Sequence, residues 1–350
     1  MSYFTSFSSF PRVVIFSFLT VLVSCSKVAP LHKTEGFAQG TSYHISWWSE
    51  SDVSAEVLQP LLEEKLAAID KELSTYREDS FISRFNRNPS LAWQEVSEDF
   101  IELLHVAHQV NVQSLGCYDP TIGPLFSLWG FDKDQFVVPS QADIEQVQAH
   151  LGLDKIEIDP TNKRIRKLDS SVALDFSSMG EGYTIGELSQ IMAQRHIDNY
   201  LIEFGGDMQI KGQKPDGSHW KIAVEKPIPQ QQGIEPYQLV SILSTAGVTL
   251  DTSGSYHHSF DKDGKSYSHI LDARTGAPVA HHLVSSSVFG QDPVLGDAWA
   301  TAMMCLGPKQ GQLIAKKQGL EVFFIEQDGQ VLTQHTSDAL RHSPRVSLTQ

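Results

Sequence analysis

The sequence predicts an α+β fold with mostly antiparallel sheets and flanking helices, on three observations. Helical and strand-like segments both occur, but they do not alternate regularly as in a doubly wound parallel sheet. The 350 residues are 41% hydrophobic and 20% charged, which is typical of a globular protein. The chain contains neither a GxGxxG nor a GxxxxGK(S/T) motif, so the nucleotide sites common in parallel sheets are not predicted.

Each element is predicted from its own periodicity. Helices are expected where apolar residues recur three and four positions apart, namely at residues 56–73, 98–113, 139–151, 181–195, 293–305 and 309–318. Strands are expected where apolar and polar residues alternate, or where short apolar runs end in turn residues. The predicted strands are residues 41–48, 155–158, 164–167, 172–176, 200–204, 208–211, 220–225, 239–244, 248–251, 266–272, 283–289, 321–326 and 331–332.

The N-terminus predicts a lipoprotein signal peptide over residues 1–24. Arg12 supplies a positive charge, and an apolar run follows over residues 13–23. A membrane-spanning helix needs about 20 apolar residues, so this run is better explained as a signal peptide. Residues 22–25 resemble a bacterial lipobox, in which Cys25 becomes the lipidated first residue; the alternative is an ordinary signal peptide with a chance cysteine. We expect a tether over residues 25–36 and a single domain over residues 37–340.

Charge and cysteine content limit the possible partners. The net charge of −15 disfavours nucleic acid or anionic lipid, so an anionic ligand would need a divalent cation and backbone donors. No cysteine–histidine cluster has zinc spacing. Cys117 and Cys305 could pair, but a disulfide is not predicted, because Cys305 lies in an apolar run expected to be buried helix, where cysteine acts as a small hydrophobe.

Asp297 and Thr301 form a candidate metal site. Residues four apart lie on one face of a helix, so the carboxylate and the hydroxyl would stand side by side as hard oxygen donors. Mg²⁺ usually takes one or two protein oxygens and completes its octahedron with phosphates and water. The alternative is a solvated aspartate beside an unrelated threonine, so the prediction depends on other segments.

Several other segments have the residue types expected at a ligand site. Residues 174–183 predict a strand that ends in a glycine turn, where Gly180 and Gly182 would let a phosphate approach backbone N–H groups. Further glycine turns are expected at residues 204–207 and 253–256. Tyr76 could stack on a flat ring, and Asp119 could accept from a ligand amide. His269 is expected within a strand, just before a turn.

Taken together and in this order, these segments resemble the ApbE family of FAD:protein FMN transferases, from about Phe37 to Phe324. The matching segments are residues 40–41, 74–76, 79–80, 83–86, 119–124, 128–131, 180–183, 205–206, 253–256, 268–270, 272, 274–276, 297 and 301. The resemblance implies T-fold-like units and an exported or lipid-anchored bacterial enzyme. Such enzymes cleave the pyrophosphate of FAD, attach FMN through a phosphoester to a Thr or Ser hydroxyl of a target protein, and release AMP.

The resemblance also implies roles for individual residues. Mg²⁺, with Mn²⁺ possible, would be held by Asp297, Thr301 and the backbone carbonyl of Gly180. The implied flavin contacts are Gln39, Tyr76, Cys117, Tyr118, Asp119, Glu181, His269 and Ile270. His269 would stand beside the reacting phosphate and take the proton of the incoming hydroxyl, since an imidazole acts near neutral pH.

Partners and location follow from the same resemblance. Typical acceptors are flavin-carrying subunits of membrane redox pumps, and no nucleic acid is expected. The chain would be lipid-anchored in the bacterial cell envelope, at the inner membrane and facing the periplasm.

The sequence departs from the family at several positions. Many relatives have Met at Gln39, an aliphatic or small residue at Cys117, and Arg-Asn where this chain has His257 and His258. Two alternatives to the transferase stay open, and the departures at Gln39 and His257 motivate the first of them. One is an FAD pyrophosphatase that yields FMN and AMP, and the other is a non-catalytic periplasmic FAD-binding lipoprotein.

Overall fold

The computed structural model describes residues 1–2, 29–133, 135–226, 237–255, 259–262 and 265–349. The helices are α1 (Ala55–Leu73), α2 (Phe81–Arg87), α3 (Glu98–Gln113), α4 (Gly123–Trp129), α5 (Gln141–Gln148), α6 (Ser177–Gln194), α7 (Pro293–Gln318) and α8 (Asp338–Arg341). The strands are β1 (His32–Ala38), β2 (Thr41–Trp48), β3 (Gln94–Glu95), β4 (Ile156–Asp159), β5 (Arg164–Lys167), β6 (Asn199–Phe204), β7 (Asp207–Lys211), β8 (Lys221–Glu225), β9 (Tyr237–Ile242), β10 (Val248–Gly254), β11 (Ser259–Lys262), β12 (Lys265–Ser268), β13 (Leu271–Asp272), β14 (Ala277–Pro278), β15 (Leu283–Gly290), β16 (Glu321–Asp328), β17 (Val331–Thr336) and β18 (Val346–Leu348).

An eight-stranded antiparallel sheet organises the molecule, in the order β1-β2-β6-β7-β10-β15-β16-β17. Helices α6 and α7 lie side by side on one face of this sheet, and α1 packs on α6. The three-stranded sheet β18-β9-β8 and α8 cover apolar side chains of the opposite face. This arrangement confirms the α+β class with mostly antiparallel sheets that the sequence predicts.

The folded part of the chain is longer at both ends than predicted. Strand β1 begins at His32, inside the expected tether, because residues 32–38 pair along their whole length with β2. At the other end β18 pairs with β9 beyond residue 340. The expected lipidation at Cys25 lies outside the described residues.

Two strand predictions were wrong for physical reasons. Val172, Leu174 and Phe176 are buried, yet residues 172–176 join no sheet, because the side chain of Asn86 takes the place of a neighbouring strand. Its amide donates to Leu174 O at 2.8 Å and accepts from Leu174 N–H at 2.8 Å. His269 follows β12 and precedes β13, so the expected continuous strand over 266–272 is interrupted at this histidine.

The C-terminal helix prediction is confirmed with one refinement. The two predicted helices are halves of α7, joined at a kink where Gly307 has a φ of 72°. Asp292 caps the helix by accepting from Leu295 N–H at 3.1 Å, and Pro293 occupies the first turn, where its missing N–H costs nothing. Asp297 and Thr301 therefore lie in the first half, in the stretch packed on the sheet.

Candidate active site

Asp297 and Thr301 lie on the face of α7 that contacts α6 and β10. The Asp297 carboxylate is buried, and its Oδ2 accepts from Gly182 N–H at 3.0 Å. The Thr301 hydroxyl is 3.0 Å from the hydroxyl of Ser253 on β10. The predicted spacing thus places both oxygens toward neighbouring elements rather than toward bulk solvent.

A close crossing of α6 and α7 brings the glycine segment to this pair. A Cβ added to Gly182 would lie 2.1 Å from Pro293 O and 2.9 Å from Asp297 Cβ, so only glycine allows this approach. A Cβ on Gly180 would meet no heavy atom within 4 Å, which leaves open space beside the backbone there. The segment is not the predicted turn, because α6 already begins at Ser177 and both glycines are helical.

Three further acidic side chains surround Asp297. Glu181 comes from α6, Asp207 from β7 and Asp251 from β10. The Asp207 carboxylate accepts from Thr252 N–H at 2.7 Å, whereas both carboxylate oxygens of Asp251 are buried and have no hydrogen-bond partner. The resulting negative charge lies at the junction of the two helices and the sheet.

The pKa values of these carboxyl groups are raised, because burial and neighbouring negative charges disfavour the ionised form. Burial raises the pKa of Asp297 to about 7, against the opposite effect of the N–H groups of Gly182 and Glu181. Burial, and then the charges of Asp297 and Glu203, raise the pKa of Glu181 to about 8.

Burial and the Asp297 charge also raise the pKa values of Asp207 and Asp251 well above the ordinary range. Within the described ranges, no lysine or arginine forms an ion pair with these four carboxylates.

This site fits a divalent cation. A buried carboxylate and a neighbouring hydroxyl supply hard oxygens, and a cation would offset the charge that otherwise raises these pKa values. The residues therefore match the donor set that the resemblance implies for Mg²⁺ or Mn²⁺. Whether the Gly180 carbonyl is the third ligand stays a prediction.

The expected flavin residues lie in different surroundings. Gln39 occupies the β1–β2 turn with a positive φ of 52°, and its Oε1 accepts from the Thr184 hydroxyl of α6 at 3.0 Å. Its Nε2 is buried without a partner, so it could donate to a ligand. Tyr76 lies between α1 and α2 and is 96% exposed, which leaves its ring face free to stack on a flat ligand.

Tyr118 and Asp119 are held by hydrogen bonds. Tyr118 is buried, its hydroxyl accepts from Ser178 of α6 at 3.1 Å, and burial raises its pKa. Asp119 Oδ1 accepts from the backbone N–H and the hydroxyl of Thr121, at 2.8 and 2.7 Å. Burial raises the pKa of Asp119 despite these bonds. Both side chains are therefore oriented by the protein itself.

Cys117 and Cys305 form a disulfide, so the prediction that they stay unpaired was wrong. Their Cα atoms are 5.8 Å apart, although 188 positions separate them in sequence. The expectation failed because helix burial says nothing about which loop packs against the helix. The sulfurs lie within 4.8 Å of an Asp272 oxygen, but cysteines already bonded to each other offer no thiolate for a metal.

His269 and Ile270 lie in the short link between β12 and β13. The Ile270 N–H donates to the Ser268 hydroxyl at 3.0 Å, which shapes this link. Asp272, considered as an orienting partner for His269, instead binds Arg274 through two hydrogen bonds of 2.9 and 2.7 Å. The expected role of His269 stays a prediction, and the departure at His257 and His258 lies outside the described residues.

Helix α6 is the common support of the site, and sequence reasoning missed part of it. Its side chains reach Gln39 through Thr184 and Tyr118 through Ser178, while Gly182 reaches Asp297. Asp207 and Asp251 were not predicted as site residues. Each aspartate alternates with apolar residues that face the other side of its strand, and that alternation was the available signal.

Comparisons with known proteins agree with this architecture. The ApbE family profile matches residues 39–324. An FAD:protein FMN transferase of Escherichia coli strain K12 is 32% identical over 333 residues, covering 92% of this chain and 93% of that protein. One from Salmonella typhimurium strain LT2 is 33% identical over 334 residues, covering 92% and 94%.

Solved structures give the same assignment. The flavinyl transferase ApbE of Pseudomonas stutzeri, in its apo form, is 32% identical with a TM-score of 0.81, covering 89% of this chain and 96% of that one. The flavin transferase ApbE of Vibrio cholerae is 28% identical with a TM-score of 0.79, covering 89% and 99%. The chain therefore belongs to the ApbE family, as the sequence motifs predict.

Proposed function

We propose that this chain transfers FMN from FAD to a Thr or Ser hydroxyl of a target protein, forming a phosphoester and releasing AMP. The observation that carries the proposal is the Asp297–Thr301 oxygen pair, set in a buried acidic cluster with little compensating charge. A cation site of this kind suits cleavage of a diphosphate, because phosphoryl transfer needs charge neutralisation and positioning above all. The transferase names of the relatives support the same reaction.

Asp297 and Thr301, with the Gly180 carbonyl, would hold Mg²⁺ or Mn²⁺. Bound there, the ion would supply charge neutralisation for the pyrophosphate. Asp297 is oriented for this task by the Gly182 N–H, and Thr301 by the Ser253 hydroxyl. The open space at Gly180 lets a phosphate come close to the backbone of α6.

The flavin would be bound by residues that α6 supports. Tyr76 stacks on the isoalloxazine, and Gln39 Nε2 donates to one of its acceptors. Cys117, Tyr118 and Asp119 line the ring through the loop they form, whereas Glu181 lies toward the ribityl chain and Ile270 near His269. The Glu181 side chain can hydrogen-bond a ribityl hydroxyl, which both donates and accepts.

His269 takes the proton of the attacking hydroxyl. The hydroxyl oxygen forms a new bond to the FMN phosphorus, the P–O bond to AMP breaks, and AMP leaves with the bridging oxygen. An imidazole suits this role because its ordinary pKa lies close to neutral pH.

The chain would act at a membrane through lipid on Cys25, in the bacterial envelope at the periplasmic face of the inner membrane. Its acceptor would be a flavin-carrying subunit of a membrane redox complex. The net charge of −15 supports the expectation that nucleic acid is not a partner. None of the helices that the structure describes is long and apolar enough to cross a membrane.

The test is a flavinylation assay with the purified chain, FAD, Mg²⁺ and an acceptor that carries a reactive threonine. We expect covalent FMN on that threonine and one AMP per FMN attached. AMP release that the acceptor does not raise would instead indicate the FAD pyrophosphatase, and FAD left intact would indicate a binding protein. An acceptor with that threonine changed to valine is the matched control for the attachment site.

A further inference from the structure

The Cys117–Cys305 disulfide joins two parts of the proposed site. Cys117 lies in the loop between α3 and α4, next to Tyr118 and Asp119, and Cys305 lies in α7. Both cysteines are buried, with 2% and 5% of their surfaces exposed. The bond is therefore inside the molecule, between the flavin loop and the metal-binding helix.

Cys305 shares a helix stripe with the metal pair. Asp297, Thr301 and Cys305 follow each other at intervals of four, so they lie one above another on α7. Cys305 is one turn beyond Thr301 and precedes the kink at Gly307. A covalent bond at Cys305 thus fixes the same face of the helix that presents the metal ligands.

The other end of the bond fixes the flavin loop. The Tyr118 backbone is held by Asn111 Nδ2, which donates to its carbonyl at 2.7 Å, and by Ser114 Oγ, which accepts from its N–H at 3.1 Å. These bonds tie the loop to the end of α3. The disulfide is the covalent link from the loop to α7.

The segment that follows His269 lies beside the same disulfide. An oxygen of Asp272 lies within 4.8 Å of both sulfurs, and its carboxylate binds Arg274. Arg274 Cγ would in turn lie 3.7 Å from a Cβ placed on Gly116, next to Cys117. Three segments to which the proposed function assigns the flavin, the metal and the base therefore meet at one disulfide.

We infer that the Cys117–Cys305 disulfide is a positioning element of the transfer reaction, holding the flavin loop at a fixed distance from the metal-binding stripe of α7. The inference rests on the proposed function for the roles of the loop and the helix. Without the bond, hydrogen bonds and packing alone would hold the loop, so part of its ordering would be left to FAD binding, and that cost weakens affinity. The bond is expected to act on FAD binding more than on the chemical step.

Reduction by a dithiol breaks this link in a defined way. Dithiothreitol supplies two electrons and two protons, the Sγ–Sγ bond becomes two thiols, and the reagent becomes a cyclic disulfide. Reoxidation reverses the step. The affinity for FAD that is lost on reduction should therefore be regained when the two thiols are oxidised again.

The experiment compares FAD binding by the oxidised protein, the reduced protein and the double variant Cys117→Ala/Cys305→Ala. Titration of FAD fluorescence in the presence of Mg²⁺ gives the dissociation constant, and circular dichroism verifies folding at the temperature used. We expect the dissociation constant and KM for FAD to rise about tenfold on reduction and in the double variant, with kcat changed less than about threefold. The double variant should not respond to dithiothreitol.

Leu340→Ala separates positioning from simple stability. Leu340 is buried against the opposite face of the large sheet, so its truncation lowers stability while the disulfide and the site stay intact. We expect this variant to bind FAD as the unchanged protein does. A similar loss of FAD affinity in Leu340→Ala would mean that the disulfide acts only through global stability, and would overturn the inference.

Two other outcomes would overturn it as well. One is equal FAD affinity in the oxidised and reduced proteins. The other is alkylation of Cys117 and Cys305 as free thiols in the unreduced protein, read by mass spectrometry. Failure of the proposed function gives a different result, because the oxidised protein would then bind FAD without transferring FMN.

Discussion

Asp297 is the residue on which the proposed chemistry of this chain depends most. Its carboxylate is buried among Glu181, Asp207 and Asp251, and the backbone N–H groups of α6 orient it, that of Gly182 from 3.0 Å. A buried charge normally needs a partner of opposite sign. The spacing of Asp297 and Thr301 predicted the donor pair from sequence, but the other carboxylates come from α6 and from two distant strands, so their convergence on Asp297 could not be predicted without the fold.

Replacing Asp297 by asparagine should abolish the metal requirement together with most of the activity. The amide keeps the side-chain shape but removes the charged ligand. Metal charge stabilisation is worth several kcal/mol, so we expect FMN transfer to fall at least about 100-fold. Asp292→Asn is the matched control: it removes an equal charge from the same helix but keeps a good N-cap, and activity should change less than about twofold. Equal losses in both variants would contradict the assigned role.

The raised pKa values predict how the metal-free protein responds to pH. Glu181 and Asp297 have folded pKa values of about 8 and about 7, above their ordinary values of 4.5 and 3.8. Both favour the protonated form in the fold. Their contribution to stability is therefore fully present below their unfolded pKa values and is lost as the pH rises through their folded ones.

With EDTA present, the Tm should accordingly fall between about pH 5 and pH 8, by more in the unchanged protein than in Glu181→Gln/Asp297→Asn. Mg²⁺ should restore more stability at the higher pH, since it binds the deprotonated site. A pH profile shared by the protein and the double variant would show that these two groups do not titrate as described.

At the scale of elements, the crossing of α6 over α7 builds the site. Gly182 allows the contact with Pro293 O and Asp297 that brings the two helices together. From sequence, Gly180 and Gly182 predicted a turn, because glycines are unfavourable inside helices. Tertiary packing outweighs that preference here, because the close approach of Gly182 to α7 stabilises the helix that contains both glycines.

Gly182→Ala should separate these helices. A Cβ at 2.1 Å from Pro293 O cannot be accommodated, and overpacking of this kind costs about 1–3 kcal/mol. We expect lower stability and a weaker Mg²⁺ dependence of FMN transfer, measured by thermal unfolding and by metal titration.

Gly186→Ala on the same helix is the matched control. Its Cβ would meet only Pro293 Cγ at 3.6 Å, an ordinary contact. It should gain about 0.5–1 kcal/mol from helix propensity and leave the metal titration unchanged. A Gly182→Ala protein as stable and as active as Gly186→Ala would contradict the close crossing.

Over the whole molecule, the motifs predicted more than the periodicity did. Short segments in the family's order identified the ApbE family and the α+β class, because motif order survives when individual positions change. Contacts between distant segments could not be predicted from the sequence. These are the bonds of Asn86 to residues 172–176, the pairing of β1 with β2 inside the expected tether, and the Cys117–Cys305 disulfide. Each depends on which surfaces meet, and local residue patterns do not encode that.

The disulfide predicts that global stability depends on redox conditions. It closes a loop of 188 positions, for which chain entropy gives about 5 kcal/mol, and removing a native disulfide typically costs about 2–5 kcal/mol. Chemical denaturation with and without dithiothreitol should show a loss in that range in the unchanged protein. The Cys117→Ala/Cys305→Ala variant should show no difference between the two conditions.

The most direct test of the central claim is covalent transfer of FMN at the Asp297–Thr301 site. The purified chain is incubated with FAD, Mg²⁺ and a threonine-containing acceptor, and flavin on the acceptor is measured by in-gel fluorescence and mass spectrometry. The site predicts FMN on the threonine and an equal amount of AMP, both lost with EDTA and in Asp297→Asn. Flavinylation that persists in Asp297→Asn would contradict the central claim. No flavinylation of any threonine-containing acceptor would contradict it as well.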